Sequence, residues 1–182
     1  VSERDFEHVG GELIYEGRII SVRRDRFRYP DGETVEREVI THPGAVAVLA
    51  VDDDVVHLVR QPREAVGDPD VLEIPAGRRD KDGEPPLECA KRELAEEIGK
   101  AADHWEHLKD MYAAVGVLGE VVTIYRATGL RDVPFEDSGE NERIELVAWP
   151  LDDLDGAIAA TRDSKTLVAL LWLKAERAAA RA

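Results

Sequence analysis

Short apolar and polar pieces alternate through residues 11 to 40: Leu13-Ile14-Tyr15, then Ile19-Ile20-Ser21-Val22, then Arg26-Phe27-Arg28-Tyr29. Pro30-Asp31-Gly32 is a turn signal among them, so the region predicts an antiparallel meander. Ala45 to Val51 and Val55 to Val59 are apolar runs parted by Asp52-Asp53-Asp54, which predicts a hairpin. Val71-Leu72-Glu73-Ile74 predicts a short strand stopped by Pro75-Ala76-Gly77. The period then changes. Pro85-Pro86 marks a helix start and Gly99 a helix stop, and between them Leu87, Ala90, Leu94 and Ile98 recur at helical spacing. Val121 to Ala127 and Ile144 to Trp149 read as strands, and Leu151 to Ala160 and Ser164 to Ala180 as helices. Asp103-His104-Trp105-Glu106-His107 fits strand and helix equally. Strands, helix, strands, helix is the order of an α/β (α+β) sandwich, not of a doubly wound fold.

Charge narrows the partners. Lys+Arg 24 against Asp+Glu 39 gives −15 over 182 residues. That balance opposes nucleic acid as a partner, and an anionic membrane too. An anionic small substrate stays open if a cation or local arginines meet it. The apolar runs Ala45–Val51 and Leu167–Leu173 are far too short to span a bilayer. The acidic start, Val-Ser-Glu-Arg-Asp-Phe-Glu, has no apolar stretch of a secretion signal. One cysteine, Cys89, excludes an internal disulfide and a cysteine zinc site. A reduced, cytoplasmic protein is the expectation.

The chemistry sits between Glu84 and Gly99, in Arg92-Glu93-Leu94-Ala95-Glu96-Glu97-Ile98-Gly99. A helix turns about 100° per residue, so Glu96 lies roughly −60° and Glu97 roughly +40° from Glu93. Three carboxylates share one face, next to the apolar face of Leu87, Ala90, Leu94 and Ile98. Like charges three and four residues apart repel. Arg92 offsets part of that charge, and a divalent ion is the natural remainder. Hard oxygen donors without cysteine favour Mg²⁺ or Mn²⁺. A solvated acidic surface is the competing interpretation of such a helix. Cys89 is expected as a small, partly buried thiol off the carboxylate face, and the five histidines as surface residues.

Spacing and residue type together resemble the Nudix hydrolase signature, Gly-x5-Glu-x7-Arg-Glu-U-x-Glu-Glu-x-Gly-U, with U apolar. Glu84, Arg92, Glu93, Leu94, Glu96, Glu97, Ile98 and Gly99 match it. Two departures stand out: six residues, not five, separate Gly77 from Glu84, and Lys100 replaces the last apolar residue. Arg37-Glu38-Val39, His42-Pro43-Gly44-Ala45, Gln61-Pro62-Arg63, Leu72-Glu73-Ile74-Pro75-Ala76-Gly77 and Gly116-x-x-x-Glu120 resemble the ADP-ribose pyrophosphatase branch. The resemblance implies a Nudix-like α/β/α sandwich with a mixed sheet over residues 43–182. It also implies a small N-terminal β meander over residues 1–42 that swaps across a homodimer.

The activity implied is metal-dependent hydrolysis of the pyrophosphate of ADP-ribose, or of a related nucleoside diphosphate sugar, to AMP and ribose 5-phosphate by water attack on phosphorus. Glu93, Glu96 and Glu97 would ligate Mg²⁺, with the Ala76 carbonyl joining as the resemblance implies. Arg92 would orient the glutamates, and Glu84 would anchor the loop. The branch puts its general base on a later loop, here Phe135 to Glu142, which offers Glu140 or Glu142. Arg37 and Arg63 would contact the diphosphate, Arg37 from the other subunit's side. Glu73, a carboxylate in an apolar strand, needs a partner; it would orient Arg63 or bond the substrate. Glu120 competes with Glu140 and Glu142 for the base role, because Gly116-Val117-Leu118-Gly119-Glu120 resembles a substrate-loop motif. Tyr15, Phe27 and Tyr29 are expected to pack, with an adenine pocket as the alternative. Hydrolysis of nucleoside triphosphates or dinucleoside polyphosphates is the second activity considered, and a non-catalytic metabolite-binding domain the third.

Overall fold

The computed structural model describes residues 5–135 and 143–181. The chain divides into two units, Val1–Gly44 with Tyr112–Val121, and Ala45–Met111 with Val122–Ala182.

The first unit holds a three-stranded antiparallel sheet of β1 (Glu7–Glu16), β2 (Ser21–Arg28) and β3 (Thr34–Thr41), in that order. The pieces read as separate, Ile19–Val22 and Arg26–Tyr29, fall largely within the single strand β2. The charged residues between them do not break it, because each finds a partner on the sheet. Arg24 pairs with Glu12 across the strands at 3.0 Å. Arg23 donates Nε to both oxygens of the buried Asp25, at 3.1 and 3.2 Å. Opposite charges facing one another across strands are a stabilising element of sheets. Pro30-Asp31-Gly32 makes the turn as expected: Asp31 Oδ1 accepts the Glu33 N–H at 2.9 Å.

The second unit is built on a mixed seven-stranded sheet. Its strands are β4 (Ala45–Val51), β5 (Val55–Arg63), β6 (Asp68–Glu73), β7 (Ala76–Arg78), β8 (Lys100–Tyr112), β9 (Val121–Asp132) and β10 (Glu145–Pro150). The main path runs β10-β5-β4-β9-β8, with β6 on β5 and β7 on β4. Pairing of β4 with β9 is parallel, and its pairings with β5 and β7 are antiparallel. One edge of β4 is shared. Its C-terminal end pairs with β5 at Ala50 and Val51, and its N-terminal end with β7 at Ala45 to Ala47. Between these contacts Val48 N–H donates to the Pro75 carbonyl at 2.8 Å. That split brings residues 75–78 into the sheet. The sequence signal placed them after a strand; Ala76 and Gly77 in fact form one.

Helices cover both faces. They are α1 (Pro86–Ile98), α2 (Leu154–Ala160) and α3 (Ser164–Ala179). Alternate residues of β4 enter two cores. Ala47 and Leu49 pack with Leu154, Ala157, Leu170 and Leu173 of α2 and α3. Val46, Val48 and Ala50 pack with Ala90, Leu94 and Ile98 of α1. A strand buried on both faces reads as a continuous apolar run, which is the pattern of Ala45 to Val51. The fold is therefore a mixed α/β sandwich with a separate antiparallel sheet. Among the described residues no helix is long and apolar enough to cross a membrane.

The largest element missed from the sequence is β8, 13 residues long. Its less exposed side chains in the second half, Trp105, Leu108 and Met111, recur every third residue. That spacing imitates a helix, and charged residues fill the positions between.

Candidate active site

Helix α1 begins at Pro86, where a proline has no helical N–H to lose. It ends at Gly99, whose φ of 63° is the left-handed conformation glycine accepts best. The Gly99 N–H returns to the Leu94 and Ala95 carbonyls and closes the last turn. The carboxylate face is largely covered rather than solvated: Glu93 is 9% exposed and Glu97 5%.

Two contacts tie this face to β7. Ala76 N–H donates to Glu97 Oε2 at 2.9 Å. Gly77 lies so close to Glu93 that a Cβ there would sit 1.8 Å from the carboxyl carbon and 2.1 and 2.2 Å from its oxygens. The glycine of the signature is thus a matter of space. The consecutive residues Ala76 and Gly77 draw Glu97 and Glu93 to one place.

Arg92 compensates the charge. Nη1 donates to Glu93 Oε1 at 2.6 Å and to Glu96 Oε2 at 2.9 Å. Nε and Nη2 form a fork on Glu84 at 3.1 and 3.0 Å. The fork spans the loop despite its extra residue. Bonding to Glu84 raises the Arg92 pKa further above its ordinary value, against the cost of burial. The same bond holds the Glu84 carboxyl below the usual carboxylate range.

Cys89 corrects the sequence expectation. It is wholly buried and lies on the carboxylate side of α1, with Arg92 Nη2 3.4 Å from its sulfur. It sits one helical turn before Glu93, about −40° around the axis. Burial, together with the Glu93 charge, pushes its thiol pKa up to about 12.

A second charged group lies at the end of β6. Glu73 is 2% exposed. Arg63 of β5 grips both its oxygens, Nε to Oε1 at 2.6 Å and Nη2 to Oε2 at 2.9 Å. Lys165 also contacts Oε2. Burial opposes ionisation of Glu73, but Arg63 and Lys165 outweigh it and hold its pKa below the ordinary value. The Glu73 bond raises the Arg63 pKa, and Glu97 adds to it electrostatically. Lys165 was not singled out by sequence reasoning. Its contact with Glu73 spans 92 positions, so no local spacing reveals it.

Arg37 and Glu120 belong to the first unit. Arg37 Nη1 donates to the Glu36 carbonyl at 2.8 Å. It lines a cavity of about 380 Å³ with Phe27, Tyr29, Val35, Val39 and Val117. Tyr15, by contrast, is exposed and outside that lining. Glu120 Oε1 stands 3.3 Å from His42 Nδ1, and both side chains are mostly buried. His57 is likewise largely covered and bonded to Asp52 at 2.8 Å. His42 and His57 are therefore not the surface residues expected. Glu140 and Glu142 lie outside the described residues.

The donors are hard: carboxylate oxygens of Glu93, Glu96 and Glu97 beside the backbone of Ala76. Such a set fits a divalent ion of the Mg²⁺ or Mn²⁺ type. Among the described residues, no three His, Cys, Asp or Glu side chains are already gathered to hold an ion. Arg92 instead bonds one oxygen each of Glu93 and Glu96.

The family model for the NUDIX domain matches residues 41–181. The chain belongs to the Nudix family. An ADP-ribose pyrophosphatase of Mycobacterium tuberculosis (strain ATCC 25618 / H37Rv) is 41% identical over 150 residues, 82% of this chain and 72% of that protein. A methanol dehydrogenase activator of Bacillus methanolicus is 34% identical, covering 92% of this chain and 91% of its own. An ADP-ribose pyrophosphatase of Bacillus subtilis (strain 168) is 32% identical, covering 93% of each. A crystal structure of an ADP compounds hydrolase superposes with a TM-score of 0.83 over 97% of this chain and 98% of its own, at 24% identity, and so shares the fold. This Nudix chain is an enzyme, a pyrophosphohydrolase. Nudix hydrolases generally use divalent metal ions.

Proposed function

We propose that this Nudix enzyme hydrolyses the pyrophosphate bond of ADP-ribose, or of a related nucleoside diphosphate sugar, to AMP and ribose 5-phosphate. The observation that carries this reading is the convergence of Glu93 and Glu97 on Ala76 and Gly77, beside the Arg63–Glu73 pair. The names of the Mycobacterium and B. subtilis relatives support the choice of substrate.

A Mg²⁺ ion, or Mn²⁺, held by Glu93, Glu96, Glu97 and the Ala76 carbonyl would neutralise phosphate charge and acidify the attacking water. Arg92, bonded to one oxygen of each, aims Glu93 and Glu96. Arg63 presents a guanidinium to a phosphate oxygen, the geometry arginine suits best, and Glu73 sets its orientation. A carboxylate oxygen of Glu140 or Glu142 takes the proton as the water oxygen bonds to phosphorus. The bridging P–O bond then breaks, and the two phosphates separate as AMP and ribose 5-phosphate. Glu120, in the first unit, is a substrate-loop residue in this reading.

The reading includes a homodimer formed through residues 1–42, with 43–182 as the hydrolase domain. Exposed Leu13, Ile14 and Tyr15 on β1, an edge strand of its sheet, support it. Arg37 then serves the second subunit's site. The cytoplasm is the proposed location.

The test is a hydrolysis panel with Mg²⁺: ADP-ribose, UDP-glucose, GDP-mannose, diadenosine polyphosphate and 8-oxo-dGTP, with products separated by chromatography. The expected result is fastest release of AMP and ribose 5-phosphate from ADP-ribose, abolished by EDTA. Preferential triphosphate cleavage would overturn the substrate assignment.

A further inference from the structure

Helix α3 opens with an N-cap that does more than end a helix. Asp163 Oδ2 accepts the Thr166 N–H at 2.9 Å and the Thr166 hydroxyl at 2.6 Å. Thr166 Oγ1 in turn accepts the buried Ile74 N–H at 2.8 Å. Lys165, between these two, contacts Glu73 Oε2 and lies 3.0 Å from Asp163 Oδ1. The first turn of α3 therefore holds two consecutive residues at the end of β6. It holds Ile74 by its backbone and Glu73 by its carboxylate.

A second cation on Glu73 is not needed for charge balance. Arg63 alone would neutralise the carboxylate, and Asp163 neutralises Lys165. What Lys165 adds is direction. With Oε2 shared between Lys165 and Arg63, rotation of the carboxylate would break bonds on both sides. A carboxylate fixed in plane fixes the guanidinium that forks onto it, because both groups are planar. Arg63 uses Nε and Nη2 in that fork, so the heading of Nη1 follows from the Glu73 plane. The Arg63 side chain remains 42% exposed, while Lys165 is 15% exposed. Arg63 is thus the accessible member of the group and Lys165 a covered one.

We propose that Lys165 is a positioning residue for the pyrophosphate: acting through Glu73, it fixes the direction in which Arg63 meets a phosphate oxygen. The proposal rests on the reading of Arg63 as a diphosphate ligand. Lys165 itself touches no reacting atom.

A double-mutant cycle on the full chain separates this from a purely structural role. ADP-ribose hydrolysis with Mg²⁺ is measured for wild type, Arg63→Gln, Lys165→Met and the double variant, with a melting curve for each. The expected result is a KM raised about tenfold by Lys165→Met with kcat within about threefold, and less than about a twofold effect of the same change in the Arg63→Gln background. Lys165→Arg, which keeps a cation on Glu73, recovers most of the loss. If Lys165→Met does not fold, Lys165→Gln enters the same cycle. Equal effects of the Lys165 change in both backgrounds, or an unaltered KM, would overturn the proposal. Unchanged kinetics in Arg63→Gln alone would instead remove the diphosphate role of Arg63, a distinct failure visible in its own arm.

Discussion

At the scale of single residues, the site depends on one missing atom and one covered sulfur. Gly77 has no Cβ, and the Glu93 carboxylate occupies that space. The Gly77→Ala variant must move Glu93 or the β7 backbone by an ångström or more. Displacement of that size at a reacting centre lowers rates by about a hundredfold, so kcat should fall by that order while the melting temperature changes little. A wild-type kcat would show that Glu93 need not stay where it lies. Cys89 has its thiol pKa pushed up to about 12 by burial and the nearby Glu93 charge. The thiolate is the reactive form. At pH 8 the folded enzyme should therefore alkylate at least about a hundredfold more slowly with iodoacetamide than the urea-unfolded chain. Equal rates would place Cys89 outside the covered network around Arg92.

At the scale of elements, the link between β6 and α3 governs acid stability. The Glu73 pKa lies below its ordinary 4.5: burial raises it, but Arg63 and Lys165 lower it more. A group with a lowered folded pKa stabilises fully above its unfolded pKa, and that stability is lost as pH falls through the folded value. Urea midpoints should hold from pH 7 to about 5 and decline below 4.5. Glu73→Gln should lose about 3 kcal/mol at pH 7, by leaving two cations without their buried partner, and decline less steeply in acid. An identical acid slope in the variant would contradict this role. The sequence made α1 legible because its signals are local: Pro85-Pro86, Gly99 and a 3.6-residue period lie within one stretch. The apolar face and the carboxylate face were both readable from spacing. That Glu93 and Glu97 are covered was not, because Ala76 and Gly77, which cover them, come from a strand about twenty positions away. Strand β8 was illegible for the opposite reason, a three-residue spacing of Trp105, Leu108 and Met111 that mimics a helix. Lys165 and Thr166 read only as part of the helix over Ser164 to Ala180; their bonds to Glu73 and Ile74 exist only in the folded chain.

At the scale of the whole molecule, a chain of net charge −15 is assigned an anionic substrate. The conflict resolves locally. Arg92 offsets part of the charge of Glu84, Glu93 and Glu96, and Arg63 with Lys165 surrounds Glu73. The cations are thereby concentrated beside the carboxylates, and the negative charge they leave over is what a divalent ion would offset. Glu97→Gln is the test of the proposed catalytic metal centre on the α1 carboxylates. Gln keeps an oxygen to accept the Ala76 N–H, so the fold should persist, with a melting temperature close to wild type. The measurement is ADP-ribose turnover by wild type and Glu97→Gln across a Mg²⁺ titration, alongside Mn²⁺ binding followed by electron paramagnetic resonance. The expected result is a kcat lower by at least about a hundredfold, together with weakened Mn²⁺ binding. A folded Glu97→Gln enzyme with wild-type turnover and wild-type Mn²⁺ affinity would contradict it.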